Sequence, residues 1–158
     1  MAIAELSLIL RDITEHLIQL AATLESEHSA LAKNDLDIII QAANNKNRLF
    51  ELLEDLEHER HELLLAAGLD FDSNGIMAYL QRGTSQTRNE TAAIWQQIET
   101  LTHQCRKQNQ INGIMLEKNR RRTERALAIL KGQTPQTATY SASGEACHNQ
   151  QRHSLAKA

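Results

Sequence analysis

Carboxylates and histidines stand at helical spacing in the first half of the chain, a pattern that metal-binding helix bundles use. Glu25 and His28 match the Glu-x-x-His spacing of di-iron bundles, and Asp55 and His58 repeat it with a shorter acid. A di-iron site needs a second Glu-x-x-His pair and two further inward carboxylates, which this sequence does not supply at the required spacing. We therefore expect neither a metal site nor a cofactor.

Other catalytic arrangements have no support in the sequence. His58 and His61 are not spaced by four residues, as the histidines of a zinc protease helix are. The chain has no glycine-rich phosphate loop, nucleophile elbow or Cys-x-x-Cys pair, and one Trp, two Tyr and two Phe leave little to stack a cofactor. We predict that the protein is not an enzyme and has no catalytic residues.

Charge and cysteine usage limit the compartment and the partners. Seventeen basic and 20 acidic residues give a net charge of -3, and the basic run at 118–125 is interrupted by Glu124. This favours a solvated helix end or an acidic partner over nucleic acid. No apolar run approaches the roughly 20 residues that span a bilayer, so we expect no stable membrane insertion. Cys105 and Cys147 are expected to be reduced thiols in a cytoplasmic protein.

A polar seam interrupts the last long helix and breaks the local pattern. The apolar face that includes Cys105 passes next through Asn109 and Asn112 before it reaches Leu116. Gly113 follows, and a mid-helix glycine costs roughly 0.5–1 kcal/mol relative to alanine. We therefore predict buried amides, with a close backbone approach or a bend at Gly113. On this basis Asn112→Leu should raise stability by removing a buried polar group.

The elements that carry these residues are predicted to be helices throughout. Leu, Ala, Glu, Gln, Lys and Arg are abundant, valine is absent, and apolar residues recur at three- and four-residue steps. The predicted fold class is all-α: an antiparallel bundle of three long helices with coiled-coil-like packing, a short connecting helix and a disordered C-terminal tail. The predicted segments are a helix from Ile3, a helix from Leu36 to Ala67 capped by Asp35, a connector over 68–86 with a short helix at 76–81, and a helix from Thr87 to Lys131. The helical domain covers 1–132 and the tail 133–158.

We predict the environment of two sets of charged residues on the second helix. Lys46 lies on the apolar side, so its ammonium must extend outward to water or meet a carboxylate across the bundle, and we expect the outward position. The run of acids, histidines and Arg60 at 51–62 is expected to form a mostly solvated face.

The whole chain resembles the FlgN family of flagellar export chaperones. The most specific match is an Asn-x-x-Asn-Gly element in the last helix with a tryptophan upstream, and less specific matches lie in the first two helices. The residues that carry the resemblance are Asn109-Gln-Ile-Asn112-Gly113, Trp95, Ala126-Leu127-Ala-Ile-Leu130, Tyr140-Ser-Ala-Ser-Gly144, Glu27-His-Ser-Ala-Leu31, Asp35, and Lys46 with Leu49, Leu52 and Leu53.

This resemblance implies a cytoplasmic chaperone of the flagellar type III export system that uses no nucleotide. It would hold the hook-filament junction proteins FlgK and FlgL in an export-competent state, prevent their premature assembly, and deliver them to the export gate protein FlhA. The family's C-terminal part binds the C-terminal segment of the substrate, and its tail tyrosine, here Tyr140, is implicated in docking at the gate. The tail departs from the family by continuing to residue 158 with Cys147, His148 and His153.

Near the polar seam, the last helix has more apolar residues than one buried stripe requires. We predict that these residues form the partner-binding surface. A substrate segment that folds into an amphipathic helix needs exposed apolar contacts and a few polar groups that fix its register. The competing interpretation is that these residues pack on the first two helices. The predicted partner-binding residues are Asn109, Ile111, Asn112, Gly113, Ile114, Met115, Leu116, Leu127, Leu130 and Tyr140.

A second function hypothesis remains open. The same heptad seams would serve a structural coiled-coil or adaptor protein that self-associates, and the sequence does not decide between a monomer and a homodimer.

Overall fold

The structure is a computed structural model that describes residues 2–132, and every regular element within those residues is an α-helix. The helices are α1 (Ala2–Lys33), α2 (Leu36–Ala66), α3 (Ser73–Leu80) and α4 (Ser85–Leu130). These bounds agree with the predicted ones to within about three residues, and the all-α bundle is confirmed. The predictions for the segment 133–158, including those for Tyr140 and Cys147, concern residues outside the described part.

α1 supplies the centre of the core because its apolar residues recur at alternating three- and four-residue steps and so share one face. The α1 residues buried on this face include Leu6, Leu10, Ile13, Leu17, Leu20, Leu24 and Leu31. The helix ends where Asn34 takes a positive φ of 54°. Asp35 then caps α2, since its Oδ1 accepts a hydrogen bond from Ile38 N at 3.3 Å. This break and this cap were both predicted.

The three long helices alternate in direction. Hydrogen bonds between α1 and α4 join residues at a constant separation of 88: Leu17 with Cys105, Leu24 with Asn112, and Leu31 with Asn119. A constant separation means that these two helices run parallel. Contacts between α2 and α4 join Lys46 to Asn109 and Arg60 to Trp95, so those two helices run antiparallel.

α3 belongs to the core, although its sequence predicted little more than a connector. Ile76, Tyr79 and Leu80 are buried in the same apolar cluster as α1. Asp72 caps the helix by accepting a hydrogen bond from Gly75 N at 2.9 Å. A Cβ at position 75 would lie 1.8 Å from the carbonyl oxygen of Asp70, so only glycine permits this close packing.

By compactness the chain divides after Asn119, and the described residues from Arg120 to Gly132 belong to a second unit. Within that second unit, Arg120 pairs with Glu124, and Leu127, Ile129 and Leu130 are exposed. None of the described helices is long and apolar enough to cross a membrane.

Candidate functional site

Three polar side chains of α4 donate hydrogen bonds to backbone carbonyls of α1. Cys105, Asn112 and Asn119 are spaced by one heptad, and they contact Leu17 O at 3.7 Å, Leu24 O at 2.8 Å and Leu31 O at 3.0 Å. A helical carbonyl keeps a second lone pair after its own helix bond, so it can accept such a donor. Burial raises the pKa of the Cys105 thiol, which keeps the thiol protonated as a donor. This ladder fixes the axial position of α4 on α1.

Asn112 is buried, as predicted, with 2% of its surface exposed. Its Nδ2 donates to Leu24 O and to Glu27 Oε2, at 2.8 and 2.9 Å. Its Oδ1 contacts Gln108 Nε2 at 3.0 Å and His28 Nδ1 at 3.1 Å. Both partners of Nδ2 are acceptors, which fixes the amide orientation. Because an amide oxygen only accepts, the His28 ring must carry a proton on Nδ1.

Lys46 continues this network across the bundle, so the prediction that its ammonium would extend outward to water was wrong. Lys46 Nζ lies 2.9 Å from Glu27 Oε1 and 3.3 Å from Asn109 Oδ1. Glu27 is buried on α1, and an unpaired carboxylate there would carry a large desolvation cost. Asn109 is exposed rather than buried, because its side chain turns toward α2 to reach Lys46.

Residues from all three long helices therefore meet in one polar network. Glu27 and His28 come from α1, Lys46 from α2, and Asn109 and Asn112 from α4. Polar groups in a helical seam typically specify register and partner geometry rather than adding stability. The sequence predicted that these amides would fix the register of a bound partner helix. In the structure they join the protein's own three long helices and fix the register of those helices.

Gly113 lies in open surroundings. No atom outside its own helix backbone and its chain neighbours lies within 4 Å of the position that its Cβ would take. The predicted close approach is therefore absent among the described residues, and the glycine leaves an exposed notch on α4 next to the network.

The apolar residues of the predicted surface that lie in the first unit, up to Asn119, are mostly exposed, which argues against their packing on the first two helices. Met115 is half-buried. The others, Ile111, Ile114, Leu116, Leu127 and Leu130, range from 37% to 82% exposed. Leu127 and Leu130 belong to the second unit, and Tyr140 lies outside the described residues.

A groove with a volume of about 640 Å³ runs between α2 and α4 over α1. We call it the α2/α4 groove. Its floor is Ile13, Leu17, Leu20 and Leu24 of α1, its α2 wall is Phe50, Leu53, Glu57 and Arg60, and its α4 wall includes Trp95, Glu99, Thr102, Arg106 and Asn109. Of the predicted partner-binding residues in the described part of the chain, Asn109 alone lines it.

Cationic side chains of α2 reach across to α4 at both ends of the groove. Arg60 lies 5.4 Å from the centre of the Trp95 ring, and Lys46 bonds Asn109 at the other end. On α2, Lys46 and Arg60 are two heptads apart, and on α4, Trp95 and Asn109 are also two heptads apart. This separation corresponds to about 21 Å of helix. The groove is therefore about four helical turns long.

Arg60 is the main residue of this site that the sequence interpretation missed. It was assigned to a solvated face, but it is only 8% exposed, and it bonds Glu57 Oε2 at 2.6 Å and Phe71 O at 3.0 Å. Its spacing of two heptads from Lys46 was the available signal, because residues at that spacing share a helix face.

The geometry of the α2/α4 groove suits protein recognition. Among the described residues no group of three or more His, Cys, Asp or Glu side chains is placed to hold a metal ion. An apolar floor between two helices, with aromatic side chains at the rim, matches the grooves that accept one face of an amphipathic helix.

Comparisons with known proteins agree with the sequence resemblance. The profile of the FlgN family, described as FlgN protein, matches residues 1–147. A crystal structure described as that of a flagella synthesis protein FlgN from Pseudomonas aeruginosa is 26% identical to this chain, with a TM-score of 0.63. That match covers 68% of this chain and 83% of the Pseudomonas chain. A search of curated proteins finds no significant match. Since the family profile covers nearly the whole sequence, the chain belongs to the FlgN family.

Proposed function

We propose that the protein is a cytoplasmic flagellar export chaperone that binds the C-terminal segments of the hook-filament junction proteins FlgK and FlgL. Binding would prevent their premature assembly and keep them competent for delivery to the export gate protein FlhA. Membership of the FlgN family and the similarity to a flagella synthesis protein support the general role of flagellar export chaperone.

The observation that carries the substrate part of this proposal is the α2/α4 groove. Its volume of about 640 Å³ suits the apolar side chains on one face of a helix rather than a whole helix, and its length matches about four turns. Phe50 and Trp95 stand on opposite walls and offer the large apolar contacts that dominate binding energy at interfaces. A junction-protein segment would complete a four-helix arrangement on the three long helices.

The exposed part of α4 supplies a second contact surface in this proposal. Ile111, Ile114 and Leu116 are exposed apolar residues on α4, close in sequence to the residue that ends the groove, Asn109. Leu127 and Leu130 would contact the same substrate or the gate. Tyr140 is assigned to docking at FlhA, so Tyr140→Ala should leave FlgK binding intact and reduce secretion.

A charge introduced on the groove wall tests the substrate site. Phe50 lines the groove and is 43% exposed, so Phe50→Glu should leave the fold intact. We expect this variant to bind FlgK or FlgL of the same organism at least about tenfold more weakly in a calorimetric titration, a loss of about 1.4 kcal/mol.

Leu65→Glu is the matched control for this test. Leu65 is on the same helix, is 56% exposed, and does not line the groove. Its affinity should equal that of the unaltered protein, and circular dichroism should show equal helix content for both variants. Equal affinity of the Phe50 and Leu65 variants would remove the groove from the proposal.

Self-association is the second candidate function, favoured by exposed apolar residues at the start of α2. Leu36 and Ile40 are 65% and 52% exposed. Light scattering separates the two functions: a structural coiled coil should form oligomers alone and ignore FlgK, whereas a chaperone should form a defined complex with it.

A further inference from the structure

We propose that the α2/α4 groove accepts its helical partner in one direction, parallel to α4, with the C-terminal end of the bound helix next to Arg106. This inference rests on the proposed function, and it specifies how that site recognises its substrate. The direction follows from the charges that remain after the ion pairs inside the groove are taken into account.

The end of the groove at Trp95 is negative. Arg60 and Glu57 neutralise each other there, with Arg60 Nη2 2.6 Å from Glu57 Oε2. Glu99, one turn along α4 from Trp95, accepts a hydrogen bond from the neutral hydroxyl of Ser73 and pairs with no cation among the described residues. One carboxylate charge therefore remains at this end.

The end of the groove at Asn109 is positive. Lys46 is neutralised by the buried carboxylate of Glu27 at 2.9 Å. Arg106 lies one turn before Asn109 on the same wall and makes no ion pair with any described residue. His103 also lines this wall, midway between Glu99 and Arg106, and apart from it one guanidinium charge remains at this end.

A helix has a partial positive charge at its N-terminus and a partial negative charge at its C-terminus, each about half an elementary charge. The preferred arrangement places the N-terminus of the bound helix at the Trp95 end of the groove, within about one turn of Glu99, and its C-terminus at the Asn109 end, within about one turn of Arg106. Because α4 runs from Trp95 to Asn109, the bound helix is parallel to α4 and antiparallel to α2. The apolar face of the partner, repeated over two heptads, then contacts Phe50, Leu53 and Trp95.

Trp95 provides a direct measurement of this direction, since it is the sole tryptophan of the chain and marks one end of the groove. The probe is a synthetic, tryptophan-free peptide of the FlgK C-terminal segment that carries a nitroxide quencher at either its N-terminus or its C-terminus. We expect the N-terminal label to quench Trp95 fluorescence several-fold more than the C-terminal label. Equal quenching, or stronger quenching by the C-terminal label, would overturn the proposed direction.

Charge reversal tests the cause of the direction. Arg106→Glu should weaken binding of the unlabelled peptide about fivefold and reduce the difference between the two labels. Arg11→Glu is the matched control, because Arg11 is exposed on α1 and does not line the groove. Equal affinity of both variants would overturn the role of Arg106. If the unlabelled peptide does not bind the unaltered full-length chain, the proposed function fails as well. If the peptide binds but the labels show no preference or the opposite one, only the proposed direction fails.

Discussion

At the scale of single residues, Asn112 is a buried amide at the centre of the polar network. Its amide contacts Leu24 O, Glu27, His28 and Gln108, so every hydrogen-bonding position of the group is occupied. Buried polar groups that are fully bonded cost little, whereas removal of one partner leaves the others unsatisfied. The contribution of Asn112 to stability therefore depends on its hydrogen-bond partners and not on its burial alone.

Replacement of Asn112 should destabilise the protein, which reverses the expectation from sequence. Asn112→Leu would leave Glu27 Oε2, Leu24 O and the His28 donor without this partner, at a cost of about 1–3 kcal/mol. Asn109→Leu is the control on the same helix, since its side chain is exposed and, among the described residues, makes one hydrogen bond, to Lys46 at 3.3 Å. Urea unfolding should show the larger loss for Asn112→Leu, and an equal or greater stability of that variant would refute the account of the network.

Cys105 should be unreactive in the folded protein. Burial raises the pKa of its thiol, and the thiolate is the form that reacts. In a Cys147→Ser background, Cys105 should react with Ellman's reagent much more slowly at pH 8 than after unfolding in urea. A reaction as fast as that of a free thiol would show that α1 and α4 separate readily.

The raised pKa of the Cys105 thiol predicts a loss of stability at alkaline pH. Because the folded pKa is raised, its contribution to stability is present below the ordinary value, about 8.5, and is lost as pH rises above it. We expect the free energy of unfolding to fall as pH rises above about 8.5, and to fall less in Cys105→Ala. Identical pH dependence in both proteins would contradict this assignment.

At the scale of elements, two glycines in helices have opposite environments. A Cβ at position 75 would lie 1.8 Å from Asp70 O, whereas a Cβ at position 113 would lie in open space. Gly75→Ala should therefore displace α3 and destabilise the protein by about 1–3 kcal/mol. Gly113→Ala should stabilise α4 by about 0.5–1 kcal/mol, because alanine has the higher helix propensity. Thermal unfolding of the two variants measures both signs, and a stabilising Gly75→Ala would contradict the close packing of α3.

The helices and their caps could be predicted from sequence because they depend on local spacing. The heptad residues of α1 and the Asp35 cap require only the order of residues along the chain. The partner of Lys46 and the burial of Arg60 depend on how three helices are aligned with one another, which periodicity does not specify. The α2/α4 groove could not be predicted for the same reason, since its walls come from different helices.

At the scale of the whole molecule, the fold leaves an apolar groove between two of its long helices. Three long helices alternate in direction, and the apolar face of α1 is wide enough to form the floor between the other two. Four-helix bundles fill such a position with a helix of their own chain. In this protein the α2/α4 groove lies within the part of the chain up to Asn109, and we assign its occupant to the export substrate.

The most direct test of this assignment is to observe contacts between the substrate and methyl groups of the protein. The complex of the full-length chain with a FlgK or FlgL C-terminal segment would be prepared with labelled Leu and Ile methyls and examined by intermolecular nuclear Overhauser effects. We predict contacts from the segment to Leu17, Leu20 and Leu53, which line the groove, and none to Ile40, which is exposed elsewhere on α2. Contacts to Ile40 or to Ile114, with none to the three groove leucines, would contradict the account.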